Sequence, residues 1–111
     1  MTVRQMVAEV HREILAGDLQ PARARELLMR LAALTGNVLE EIREADLDYA
    51  AVLLALLRSS KVANQAKIAA ETTPQYARKM EARHTREVLQ EMARSLKYYL
   101  RSQEEEARLS R

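Results

Sequence analysis

Residues 72–109 read TTPQYARKMEARHTREVLQEMARSLKYYLRSQEEEARL, and this stretch decides the fold of the chain. Pro74 suits the first turn of a helix, and neither Gly nor Pro follows it. The stretch therefore predicts one helix over residues 73–108. At a rise of about 1.5 Å per residue, that helix is roughly 50 Å long. Because a chain of 111 residues is too small to bury such a rod inside a globule, the helix must pack along another helix or another chain.

The composition indicates an all-α protein. Hydrophobic residues make up 48% of the chain, Phe and Trp are absent, and only two Gly and two Pro occur. Ala, Leu, Glu, Arg and Gln are abundant and favour helix, whereas β-branched residues are few. Cysteine is absent, which excludes disulfides and thiolate metal sites. The expected fold is a single domain over residues 1–111, an elongated helical hairpin or bundle with coiled-coil-like packing.

Capping and breaking residues divide the rest of the chain into further helices. Thr2 with Gln5 forms a capping-box pattern, and Pro21 suits the first position of a second helix. Gly36 followed by Asn37 is interpreted as a break, with Asn37 capping the next helix. Whether the chain bends at residues 59–60 or continues is left open. The predicted helices cover residues 2–16, 21–35, 37–58 and 61–71.

The 73–108 helix is expected to pack antiparallel on the 37–58 helix and to extend beyond it. Residues 49–57 read YAAVLLALL, which is apolar nearly all round and is typical of a helix between neighbours. The apolar stripe of the long helix is interpreted as a core or as a seam for a second copy, and a homodimer is the favoured assembly. The residues assigned to that interface are Val88, Leu89, Met92, Leu96, Tyr99 and Leu100.

The net charge of +2 hides an asymmetry along the chain. Residues 61–101 carry nine Lys or Arg against four Glu. A basic helix face of this kind can contact the phosphates of a nucleic acid, although Glu residues are interleaved with the cations. Pairing with the acidic 40–48 stretch of the same chain is the alternative. The tentative nucleic-acid-binding residues are Arg83, Arg86, Arg94, Lys97 and Arg101.

Catalytic chemistry is poorly supported. Glu81 and His84 give one Glu-x-x-His pair, but bundle di-metal sites use two such pairs, so no metal, cofactor or enzymatic activity is expected. The start of the chain lacks the apolar segment of a signal peptide, and the longest apolar run has nine residues, half of a membrane span. The sequence therefore predicts a cytoplasmic protein without a membrane partner.

Two stretches give a family resemblance. Residues 45–92 read ADLDYAAVLLALLRSSKVANQAKIAAETTPQYARKMEARHTREVLQEM, and residues 93–110 read ARSLKYYLRSQEEEARLS. In pattern and order they resemble small helical proteins of bacteriophage early or recombination–replication regions. The resemblance implies a non-enzymatic phage accessory or regulatory factor. The expected function is a self-associating interaction protein bound to another protein or nucleoprotein, and the alternative is a nucleic-acid-binding accessory protein.

Overall fold

The computed structural model describes residues 1–110 and shows an all-α, elongated molecule of 72 × 26 × 22 Å. Over that range the chain forms helices α1 (Val3–Leu15), α2 (Pro21–Ser59), α3 (Ala63–Ala70) and α4 (Pro74–Leu109). The predicted all-α class and the long C-terminal helix are confirmed. No helix of residues 1–110 has both the length and the apolar character needed to cross a bilayer.

Helices α2 and α4 form an antiparallel hairpin over most of their lengths. At one end the Tyr99 hydroxyl donates to the carbonyl of Leu19, just before α2. At the other end the rings of Tyr49 and Tyr76 lie 5.5 Å apart. Thr73 caps α4 by accepting a hydrogen bond from the backbone N–H of Tyr76. The long helix therefore finds its packing partner within the chain.

The predicted break at residues 35–37 is wrong, because α2 runs through it as one helix of 39 residues. Gly36 sits inside the helix and Asn37 caps nothing. An interior glycine costs about 1 kcal/mol relative to alanine. Leu34 and Val38 on either side are both buried in the core, and their packing outweighs that cost.

The chain does bend after Ser59, the last residue of α2. Ser60 adopts an extended conformation, and the short helix α3 folds back against α2. Ala66 and Ala70 of α3 are fully buried, and their small side chains allow close approach of the two helices. α3 therefore covers one side of the C-terminal part of α2, beyond the point where α4 begins.

The core lies between α2 and α4 and is completed by α1. Leu27 and Leu31 of α2 pack with Leu89 and Leu96 of α4 in one buried cluster. α1 contributes two buried valines to the same cluster, Val7 and Val10. α1 also covers the middle of α4, on the side that carries His84 and Val88.

Ion pairs hold α1 on the hairpin. Arg23 of α2 makes two hydrogen bonds to the Glu13 carboxylate of α1, and Arg4 lies 3.3 Å from Glu81 of α4. The bond to Arg23 lowers the pKa of Glu13. In the same way, the bond to Arg43 lowers the pKa of Glu40 on α2. The Glu13–Arg23 pair is half-buried and the Arg4–Glu81 pair is exposed, so these two contacts orient α1 more than they stabilise the fold.

Candidate interaction surfaces

The C-terminal part of α2 presents an apolar face to solvent, which we call the α2 stripe (Leu47, Ala50, Leu54 and Leu57). Leu47, Leu54 and Leu57 are 58%, 49% and 38% exposed, and Ala50 is also exposed. Successive steps of three, four and three residues place them on one side of the helix, in the a/d pattern of a coiled coil. The expectation that residues 49–57 lie between neighbours on all sides is therefore wrong.

The stripe is exposed because the other helices cover only the opposite side of α2. Ile42 and Ala45, on the opposite side, are buried against the hairpin core, and Tyr49 faces Tyr76. Ala66 and Ala70 of α3 continue this cover past the start of α4. A helix that is apolar all round has more apolar surface than two neighbours on one side can cover.

Charge is distributed unevenly along α2 on either side of the stripe. On its N-terminal side, Arg78 of α4 lies within 4 Å of three carboxylates, and one guanidinium cannot neutralise all of them. Those carboxylates belong to Glu41, Glu44 and Asp48. On the C-terminal side, residues 58–70 contain three cations and no acid. These are Arg58, Lys61 and Lys67. The stripe therefore runs from an acidic end to a basic end.

Asp46 adds to the acidic end and ties down one of the predicted nucleic-acid-binding residues. Its Oδ2 atom accepts a hydrogen bond of 2.9 Å from Arg83. Its Oδ1 atom is buried without a hydrogen-bond partner among residues 1–110. Together with Arg78, this pair shows that part of the basic helix is used within the chain, which is the alternative that the sequence left open.

A second surface lies between α2 and α4, and none of its lining residues comes from α1. It is a groove of about 510 Å³, which we call the basic groove. Arg86, Arg94 and Lys97 line it from α4, and Leu39 of α2 lines it with 48% of its own surface exposed. No carboxylate is among its lining residues.

Three acids in the middle of α4 lie on a different side of the helix from the basic groove. Glu87 and Glu91 line a groove between α4 and α1, and Glu81 pairs with Arg4 of α1. The interleaving of Glu with the cations in sequence thus separates into two faces in space. Arg94 does reach Glu91 at 2.7 Å, whereas Arg86 and Lys97 pair with no carboxylate of residues 1–110.

The five predicted nucleic-acid-binding residues do not act as one set. Arg86, Arg94 and Lys97 share the basic groove, and Arg83 is held by Asp46. Arg101 is exposed on α4 and does not line that groove.

The six predicted interface residues lie against the chain's own core. Leu89, Met92 and Leu96 are buried, which corrects their assignment to a seam for a second copy. The physical reason is that α4 packs along α2 from its start to about Tyr49 and buries its apolar stripe there. Three others are partly buried and pack on the same cluster. They are Val88, Tyr99 and Leu100.

The two histidines lie along the same groove although they are far apart in sequence. His11 and His84 both line the groove between α1 and α4. Within residues 1–110 there is no group of three His, Cys, Asp or Glu side chains placed to hold a metal ion. What these surfaces offer is apolar contact and charge, which suit binding.

The α2 stripe is the feature that sequence reasoning missed. Its signal was present in the apolar run at residues 49–57, which is broader than one helix face.

Comparisons with protein-family models, with curated proteins and with solved structures found no significant match.

Proposed function

We propose that this chain is a non-enzymatic interaction protein that associates with itself and binds another protein or nucleoprotein, as an accessory or regulatory factor of the bacteriophage type. Its surfaces consist of apolar side chains bordered by charge. The phage connection rests on the resemblance of residues 45–110 described above.

The α2 stripe is the observation that carries this proposal. Three leucines at coiled-coil spacing stand in solvent on a helix whose other side is packed. Exposed apolar side chains that are grouped, rather than scattered singly, mark interaction sites on soluble proteins. A second copy of the chain carries the same stripe, so two copies can bury their stripes against each other.

Light scattering coupled to size exclusion tests the self-association. The expected result is an apparent mass above 12.7 kDa that falls on dilution. A constant monomer mass at all concentrations, together with a cooperative thermal transition, would overturn the proposal. Pull-down with the dimeric protein as bait, compared with a stripe variant that is monomeric, then tests whether the further partner requires the dimer.

Nucleic-acid binding is the second candidate, and the basic groove is the observation that favours it. Two of its cations have no carboxylate partner within residues 1–110, and the neighbouring acids Glu87 and Glu91 lie on another face of α4. Such a surface supports phosphate contacts that do not depend on base sequence.

Fluorescence anisotropy with a labelled oligonucleotide tests this candidate. Binding should weaken steeply with salt, and replacing both Arg86 and Lys97 by alanine should reduce affinity for all sequences alike. The matched control replaces Arg12 and Lys67, which are exposed and do not line the groove. Equal loss in both double variants would contradict the assignment of the contact to the basic groove, and no binding at low salt would remove nucleic acid as a partner.

A further inference from the structure

From the α2 stripe and the charges beside it, we infer that the partner at this surface is a second copy of the chain, bound antiparallel about a two-fold axis near Val52. The inference rests on the self-association proposed above and adds the face, the occupant and the polarity. It replaces α4, which the sequence favoured as the seam.

The order of large and small side chains in the stripe fits antiparallel pairing. With the axis near residue 52, Leu47 of one copy faces Leu57 of the other, and Ala50 faces Leu54. Each small side chain then meets a large one, which fills the layer. A parallel pair would set Ala50 against Ala50 and Leu54 against Leu54, leaving one layer thin and the next crowded.

The charges beside the stripe favour the same polarity. Antiparallel pairing brings Glu44 of each copy near Arg58 of the other, because both lie on the same flank of the stripe and their positions, eight and six residues from the axis, differ by only about 3 Å along the helix. Both side chains are exposed, and the acidic end carries more carboxylates than Arg78 can neutralise. A parallel pair would set acidic end against acidic end and basic end against basic end, which is unfavourable.

The size of the stripe sets the strength that is expected. From Leu47 to Leu57 it extends about 15 Å along the helix, so it suits a small interface of the transient class. The dimer should therefore dissociate on dilution and should weaken in high salt, because part of its attraction is between exposed charges.

Distances between spin labels decide the polarity. The chain lacks cysteine, so single cysteines can be placed at exposed positions other than the four stripe residues. Ala55→Cys and Ser59→Cys lie on other sides of α2, and Arg43→Cys lies one turn before Leu47 on the side of the stripe. In an antiparallel dimer the separation along the axis is roughly 10 Å for residue 55, roughly 20 Å for residue 59 and close to 30 Å for residue 43, because the rise counts in both copies. In a parallel dimer the separation along the axis is close to zero at all three positions, so the label at residue 43, on the facing side, gives the shortest distance.

Double electron–electron resonance on the full chain measures these distances, and circular dichroism checks that each labelled variant is folded. A long distance at residue 43, although that label lies on the facing side, would support the inference. A dimer with a short distance at residue 43 would be parallel and would overturn the inference while leaving the self-association standing. A dimer in which the distance at residue 43 fits neither arrangement would place the second copy on another face and overturn the inference as well. A monomer at every concentration would remove both proposals.

A charge variant gives an independent readout. Arg58→Glu replaces two attractive contacts with Glu44 by two repulsive ones in each dimer, so the dissociation constant should rise about tenfold at low salt. The control is Arg101→Glu, which makes the same change of charge on α4, away from the stripe. Equal effects of the two variants would contradict the assigned contact.

Discussion

Replacing Leu54 by alanine should weaken the association of two copies while leaving the fold intact. About half of this side chain, 49%, is exposed in the single chain. Burying a whole leucine contributes about 1.5–3 kcal/mol, so covering the exposed half contributes about 1 kcal/mol per copy. Because the two-fold axis repeats the loss, the dimer should weaken by about 1.5–3 kcal/mol, which raises the dissociation constant roughly 10- to 100-fold.

Leu39→Ala provides the matched control for that prediction. Leu39 is 48% exposed, lies on the same helix and undergoes the same chemical change, but it lines the basic groove instead of the α2 stripe. Sedimentation velocity over a dilution series measures both dissociation constants, and urea unfolding checks stability. If the two variants shift the constant equally, or if Leu54→Ala does not shift it, the stripe is not the interface.

Three further changes test the fold that presents these surfaces. Gly36→Ala should stabilise the chain by about 1 kcal/mol, because Gly36 is inside a helix and a Cβ there meets no atom within 4 Å. Gly17→Ala should destabilise the chain, because Gly17 has a φ of +80°. Urea denaturation measures both effects, and a loss of stability in Gly36→Ala would contradict the continuous helix. Leu96→Ala should cost about 2–5 kcal/mol in the same assay, because Leu96 is fully enclosed between the helices, and a loss as small as at an exposed site would place it outside the core. The pKa of the Glu13 carboxyl should lie below its ordinary value, because the hydrogen bond from Arg23 favours the ionised form. Since that pKa is lowered by folding, the stabilisation is present above the unfolded pKa and disappears as pH falls through the folded one; in Glu13→Gln the acid limb of the thermal stability profile should be flatter, and an unchanged profile would show that the pair does not form.

Local signals in the sequence were enough to predict the ends of the long helix. Thr73 and Pro74 start α4 by satisfying backbone donors and fixing one torsion, and these effects act within a single turn. The class of the fold followed from propensity alone. Each of these inferences depends on residues that are close together along the chain.

The break expected at Gly36 failed because the deciding contacts are distant in sequence. Leu34 and Val38 are buried with α4 residues some fifty positions away, and that packing holds the glycine in helix. The cover over the middle of α4 was not predicted for the same reason, because α1 supplies it from the other end of the chain. Intrinsic propensity is a weak guide wherever tertiary packing opposes it.

The candidate site was missed because the sequence shows which residues are apolar but not how many sides of a helix find neighbours. Residues 49–57 have apolar residues on every side. The structure supplies cover from α3 and α4 on one side alone, and the stripe is what remains. The basic groove was missed for a related reason. Arg86 and Lys97 border α2 and Glu87 and Glu91 border α1, and the sequence does not show which helix lies on which side of α4.

Methyl NMR of the leucines over a concentration series tests the central claim most directly, because it reports where the second copy binds. The methyl resonances of Leu47, Leu54 and Leu57 should shift together as the concentration rises, while those of Leu39 stay fixed as an exposed internal control. Shifts confined to Leu39 and the basic groove, or no shifts at any concentration, would contradict the assignment of the α2 stripe as the self-association surface.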